Sequence, residues 1–317
     1  MSLTFPRDAE APVLVIGAAG IDIIGRLQGD LESGTSNPAR IRTSFGGVAR
    51  NIAQNLAHLG QPVCLLSAVG TDQMGEDLLN QINAAGVDTH AVLRVDDANT
   101  GAYLAVLDTH SKLRFALDDM RITQNITPAY LKAHAHLFQQ ASLLFLDANL
   151  PPNTLRTAFS LARKAQIPVF ADPTSHTLAP KFAPYLAQIA MLIPNAAEAA
   201  IYCETPFVPK DPQQALSAAK ALVARGVRLA IVTLAEFGVC YATAYTQCHI
   251  PAIRTEIVDP TGAGDALTAT LIFALLNDIP LDDAMRLGVS AASLTLRHRG
   301  AVYPDLTLEK LYDHLIL

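Results

Sequence analysis

Asp265 closes a stretch that strips the backbone bare: "DPTGAGDALTAT" (259–270) sets Gly262, Ala263 and Gly264 just ahead of a long apolar run. Such a turn opening a helix leaves the N–H groups of Gly262, Ala263 and Gly264 pointing outward at the positive end of the helix dipole, which makes a nest for an anion. A carboxylate one residue on would repel a bound phosphate unless it accepts the proton of a hydroxyl attacking that phosphate. The same aspartate also reads as a first-turn acid that complements the dipole. Two commoner glycine-rich chemistries are excluded. No lysine follows in the GxxxxGK[ST] spacing of a P-loop, and "GAAGID" (17–22) lacks the GxGxxG spacing of a dinucleotide site.

The elements that must position this turn are written in an alternation of short apolar runs and helix-period segments. Strands are expected at 12–17, 62–70, 142–147, 168–172, 189–194 and 229–234, with helices at 51–60, 75–86, 153–166 and 212–226 and a helical C-terminal third. That order predicts an α/β fold, a central, mostly parallel sheet covered by helices on both faces. Residues 18–48 and 95–122 break the rhythm. "GAYLAVLD" and "SKLRFAL" in the second stretch read as a β-hairpin about a turn at His110, so the two stretches together predict a small β lid on one α/β domain spanning 11–317. Residues 1–10 read as a loose tail.

Composition narrows the function classes. The chain has 317 residues, half of them hydrophobic and 16% charged, yet it has no apolar run long enough to span a bilayer. The N-terminal residues fit neither a secretory signal nor an Arg-rich transit peptide, so a cytoplasmic protein is expected. The net charge of −6 without a basic run argues against a nucleic-acid polymer as partner and leaves a small molecule. Four cysteines without a CxxC pair read as reduced core thiols.

Two stretches carry a family resemblance over essentially the whole chain. "GGVARNIAQNLAHLG" (46–60) and "DPTGAGDALTAT" resemble the two signatures of the ribokinase-like, phosphofructokinase B-type carbohydrate kinases. The resemblance implies a ribokinase-like three-layer α/β/α fold and ATP-dependent phosphorylation of a sugar or nucleoside hydroxyl. It makes Asp265 the catalytic base and Gly262, Ala263 and Gly264 the anion hole. Asn195 and Glu198 of "PNAAEA" match the family's NxxE element, which holds hydrated Mg²⁺; unaided, they read as an exposed polar pair on a helix. Asp22, five residues after Gly17, falls where the family places an aspartate that grips sugar hydroxyls, with Gly46, Gly47 and Asn51 completing the substrate end. By their residues alone, Asp22 reads equally as a loop cap and Gly46–Gly47 as a turn.

On the ATP side the resemblance implies contacts from Thr233 and Gly238 of "VTLAEFG" and from Thr261, with "GVSAASLTLRHRGA" (288–301) along the adenine; Ala235 stands where relatives carry glycine. Asp259 and Thr261 match positions that hold K⁺ in many relatives. Three stretches, "LDDMRITQNITPAYL" (117–131), "LDANL" (146–150) and "ADPTS" (171–175), resemble pseudouridine kinases more than ribokinases or fructokinases. They imply a 5′-hydroxyl of pseudouridine as acceptor, with Asp119 and Met120 near the base and Asn149 and Thr174 in reach but without an assigned role. A hairpin end capped by Asp119, with Met120 in the core, is the alternative reading of that first stretch. A ribose, other nucleoside or sugar kinase is the alternative within the family, and a silent sugar-sensing module the alternative outside enzymes. Lid sheets in this family pair across a homodimer, and the apolar alternation of residues 102–107 permits it.

Overall fold

The computed structural model describes residues 10–110, 112–203 and 211–316. The expected N-terminal tail, residues 1–10, lies outside these apart from Glu10. In chain order the strands are β1 (Val13–Ile16), β2 (Gly20–Leu27), β3 (Ala39–Gly46), β4 (Val63–Leu66), β5 (Ala68–Gly70), β6 (Leu93–Val95), β7 (Gly101–Leu107), β8 (Leu113–Asp119), β9 (Leu143–Asp147), β10 (Val169–Asp172), β11 (Met191–Leu192), β12 (Leu229–Thr233), β13 (Val239–Ala242) and β14 (Gln247–Ile250).

Eight of them form one sheet in the order β14-β13-β12-β11-β10-β9-β1-β4. It is parallel from β4 through β12, and β13 and β14 are added antiparallel at one edge. Alternate residues explain why both faces are covered. Leu14 and Ile16 of β1 join the apolar cluster on one face with Leu155 and Phe159 of the helix Pro152–Ala165. Val13 and Val15 join the cluster on the other face with Ile52 of the helix Val48–His58 and Leu271 of the helix Ala263–Leu276. A strand buried on both faces has no polar side to show, which is why "VLVI" is apolar at every position.

A second sheet, of order β3-β2-β7-β8, stands apart from the first. The β7–β8 pair is antiparallel, and β2 runs parallel to β7. Its pleat sorts its residues into two sets. Directly opposed partners share a face, so Asp22, Ser44 and Tyr103 lie in one row with Asp118. Ile41 shares the other face with Val106 and Phe115, through Gly25.

Residues 62–70, expected as one strand, are two. β4 belongs to the large sheet, while β5 leaves it to pair with β6. Ser67 at the break donates its hydroxyl to the Gly17 carbonyl at 2.6 Å, bending the chain where a continuous strand would have run straight. No helix among the described residues is long and apolar enough to cross a membrane.

Candidate active site

The helix Ala263–Leu276 is buried on nearly every side, with Ala266, Leu267, Ala269, Leu271 and Ile272 all in the core. An all-round apolar helix must run through the middle of the molecule, so its N-terminus is delivered to the centre rather than to the surface. Gly262 precedes it in the left-handed region, φ 78°, and no side chain caps this end. A Cβ on Gly262 would lie 1.9 Å from the Ala301 carbonyl oxygen, so the turn admits no side chain in either conformation or space.

Asp265 sits in the first turn of that helix, half-buried beside the bare turn. Burial pushes its carboxyl up to about 7, the neighbouring carboxylates Asp22 and Asp147 add to the rise, and a hydrogen bond from Asn51 and the charge of Arg50 oppose it. The Asn51 amide donates to Asp265 Oδ2 at 2.7 Å. Asn51 is oriented in turn by Arg50, whose guanidinium donates to Asn51 Oδ1 at 2.8 Å, to the Phe45 carbonyl and to Gln81. Arg50 is the only fully buried arginine among the described residues, and burial lowers it to about 10. Sequence reasoning passed over it. The signal was present in "GGVARNIAQN", a charged residue inside an otherwise core-facing helix start.

Asp22 approaches from the small sheet. It is 7% exposed, burial raises it to about 6, and among the described residues no hydrogen bond reaches its carboxylate. Gly46 is opposite β2 at this point, and a Cβ there would fall 2.3 Å from Asp22 Oδ2, so the glycine is what lets the carboxylate lie flat against the strand. Gly47 follows at the N-cap of the helix Val48–His58, which carries Asn51. Asp22, Gly46, Gly47 and Asn51 thus converge with Asp265.

Asp119 does not. Its partner on β7 is Ala102, which is paired with Ile21, so it lies on the face opposite Asp22. Its exposed carboxylate takes a two-pronged pair from Arg121, both bonds at 2.7 Å, which holds it well down at about 2. The expectation is corrected by one residue: Asp118 stands in the Asp22 row, where burial and Asp119 raise its carboxyl. Met120 packs against Gly20 and Gly101 at the root of the small sheet.

Behind the site, Asp147 and Asp172 end β9 and β10. Asp147 is completely buried and accepts from the N–H groups of Ala18 (2.7 Å), Ala49 (3.3 Å) and Asn149 (2.9 Å). Thr174 accepts from the Ala148 N–H, and its own N–H donates to Asp172. Asn149 and Thr174 therefore shape the turns after β9 and β10. Asp172 is raised well above the ordinary carboxylate range by burial, then by Glu198 and Asp265.

On the other side of the nest a cavity of about 680 Å³ is lined by Asn195, Thr233, Gly238, Gly264, Leu267 and Val289 among others. Asn195 and Glu198 close on each other: the Asn195 N–H and side-chain amide donate to the Glu198 carboxylate at 2.9 and 2.7 Å, and the Glu198 N–H returns a bond to Asn195 Oδ1. In this reciprocal cap Glu198 turns inward, 4% exposed, while Asn195 stays exposed as an isolated NxxE would suggest. Glu198 and Asp172 bring two buried carboxylates to the cavity end of the sheet, and no lysine or arginine among the described residues pairs with either. That donor set suits a hydrated divalent cation. Ala235 holds φ 49°, so the alanine that replaces glycine takes the left-handed conformation and carries its strain. Asp259 accepts from the N–H groups of Thr261 and Gly300 and forms an ion pair of 2.6 Å with Arg42 of β3. The residue expected beside K⁺ already carries a cation from the chain itself.

The profile described as "pfkB family carbohydrate kinase" matches residues 11–308. The chain belongs to the pfkB family. As a pfkB kinase it transfers a phosphoryl group to a sugar or nucleoside. It is 34% identical to pseudouridine kinase of Escherichia coli (strain K12) over 297 residues, 93% of this chain and 94% of that one. Guanosine-inosine kinase of Exiguobacterium acetylicum is 27% identical over 89% of this chain and 93% of its own. Among solved structures, Arabidopsis thaliana ribokinase complexed with ribose and ATP superposes with a TM-score of 0.83 at 22% identity, covering 97% of this chain and 99% of that one. The likeness establishes the ribokinase-like fold for this pfkB kinase.

Two outcomes follow from the geometry. Gly262→Ala is expected to cost more than about 1–3 kcal/mol of stability, because it adds backbone strain to a contact with no room, and urea unfolding measures it. Asp265→Asn is expected to stabilise the ligand-free protein. The wild-type carboxyl titrates near 7 when folded and near 3.8 when unfolded, so its ionised burial costs stability that grows as pH rises through that window. The variant should therefore melt higher than wild type at pH 8, by up to about 4 kcal/mol, with the gap closing as pH falls toward 4.

Proposed function

We propose that the chain phosphorylates the 5′-hydroxyl of pseudouridine with ATP. The observation that carries this reading is the meeting of three features at one point: an uncapped helix N-terminus, a half-buried aspartate raised to about 7 beside it, and a buried carboxylate, Asp22, that accepts no hydrogen bond among the described residues. An anion hole with a base beside it suits phosphoryl transfer, and an unpaired buried carboxylate is a ready acceptor for sugar hydroxyls.

In this reading the small sheet is a lid on a single α/β domain, and the nucleoside lies between Asp22 and Asp265. Asp22 accepts from the ribose hydroxyls and fixes the ring. The 5′-oxygen attacks the γ-phosphorus in line, its proton passes to Asp265 as the new P–O bond forms, and ADP leaves with the electrons of the broken bond. An alcohol is too weak an acid to ionise beforehand, so the raised carboxyl matters: it makes Asp265 a stronger acceptor than an exposed aspartate at the moment of transfer. The N–H groups of Gly262, Ala263 and Gly264 face the charge that builds on the transferred group. Adenosine occupies the 680 Å³ cavity beyond Gly264. Asn195 and Glu198, with Asp172 behind them, would hold hydrated Mg²⁺, which neutralises charge on the ATP phosphates.

Pseudouridine as the acceptor rests on similarity to the E. coli enzyme and on Tyr103 and Asp118, which share the Asp22 face and can meet a base. A panel of pseudouridine, uridine, inosine, ribose and fructose, followed by ADP release, tests it. The highest kcat/KM is expected for pseudouridine, and a preference for ribose would sink the assignment. Asp265→Asn should lower kcat by about 10²–10⁴. The wild-type kcat/KM should rise with pH to a plateau above about 7, because only the ionised carboxylate accepts the proton, and this limb should be missing from the variant.

We also propose that a second copy covers the outer face of the small sheet. Ile41 is 73% exposed there, with Phe115 and Leu117 of the edge strand β8 exposed beside it. Light scattering of the purified protein should give a dimer mass, and Phe115→Glu combined with Leu117→Glu should give a monomer.

A further inference from the structure

The side of the small sheet that carries Asp22 holds a second concentration of charge farther along its strands. Arg26 of β2 and Arg40 of β3 stand directly opposite each other, and Arg42 occupies the next row on the same face, opposite Ile24. Arg299, in the loop after the helix Leu281–Leu296, completes the group from the body of the protein. With Ile24 and Val258 these four arginines line a cavity of about 340 Å³, within the size range of small-molecule sites.

The charges there are poorly balanced. Only Arg42 has a counter-ion, Asp259. The side chains of Arg26, Arg40 and Arg299 are exposed, and among the described residues no ion pair or hydrogen bond engages them. Like charges opposed across a strand pair are unfavourable. They are gathered in a chain whose acidic residues outnumber its basic ones by 29 to 23, so random placement would more often have set a carboxylate beside them. Guanidinium groups facing one another across an open concavity are the arrangement that a planar or tetrahedral oxyanion satisfies through forked bonds.

We infer that this cavity is a second anion site, separate from the catalytic one, for a ligand of the phosphate class. It shares no lining residue with the cavity beyond Gly264. Arg26 and Arg40 belong to the small sheet and Arg299 to the body, so a bound phosphate bridges the two and draws the sheet down over the nucleoside. The ligand is either an inorganic phosphate species or a phosphomonoester, such as the product of the reaction; both present the same doubly charged group.

Thermal unfolding of the full chain separates these sources without relying on turnover, so its result stands apart from that of the substrate panel. The protein is saturated with Mg²⁺ and a non-hydrolysable ATP analogue, to fill the catalytic nest, and titrated with inorganic phosphate, pyrophosphate or uridine 5′-monophosphate. A saturable rise in melting temperature at millimolar ligand is expected for at least one of the three. The combined Arg26→Gln and Arg40→Gln variant should bind about tenfold more weakly or worse, with kcat in the absence of added anion unchanged. Arg299→Gln, on the opposite wall, should weaken binding too. A response to phosphate or pyrophosphate alone identifies the inorganic source, and a stronger response to the monophosphate identifies the ester. No saturable shift with any probe, or an equal shift in wild type and in both variants, would overturn the inference.

Discussion

Everything in this protein is arranged around the cost of keeping one carboxylate out of water. Asp265 is half-buried at the start of a helix that is itself enclosed, and among the described residues a hydrogen bond from Asn51 is the one its carboxylate accepts. Desolvation of that kind would normally be relieved by a salt bridge. Here the nearest positive charge, Arg50, is set behind Asn51 rather than against Asp265, so it moderates the carboxylate's proton affinity without neutralising it. A direct ion pair would have made Asp265 a stronger acid and its carboxylate a poorer proton acceptor.

The surrounding acids follow the same logic. Asp147, Asp172 and Glu198 end strands or open a helix at the C-terminal edge of the parallel strands of the large sheet, Asp22 faces them from the small sheet, and each is raised by burial. Ligands of open α/β sheets bind at that edge because the strands stop there and the helix N-termini begin. Three of the acids are spent on the chain: Asp147 on backbone N–H groups, Asp172 on the Thr174 N–H and Glu198 on Asn195. Asp22 is spent on nothing, and that difference separates a residue that builds the site from one that waits for a guest.

Much of this was legible in the sequence because the local signals were strong. The strand and helix alternation gave the parallel sheet, since strands such as "VLVI" have no polar face to confuse the period. Gly262 and Gly264 pointed to a bare helix start, and the resemblance of the two signature stretches turned it into an expected anion hole. What escaped were features set by partners distant in the chain. Arg50 and Asp147 look like ordinary core-flanking polar residues until the fold brings Asp265 and the Ala18 N–H to them. The placing of Asp119 beside the base failed for a different reason: adjacent residues in a strand face opposite ways, and only the pairing of Asp118 with Tyr103 decides which one shares the Asp22 face.

Asp147 also determines how the small sheet is held. One of its carboxylate oxygens, Oδ2, receives both the N–H of Ala18, just before β2 begins at Gly20, and the N–H of Ala49, just after β3 ends at Gly46. The neighbouring strands β2 and β3 of the small sheet are thus rooted at a single buried atom inside the body. That shared root ties β2 to β3 from within, and the side-chain-free residues at positions 20, 46 and 47 lie directly beside it.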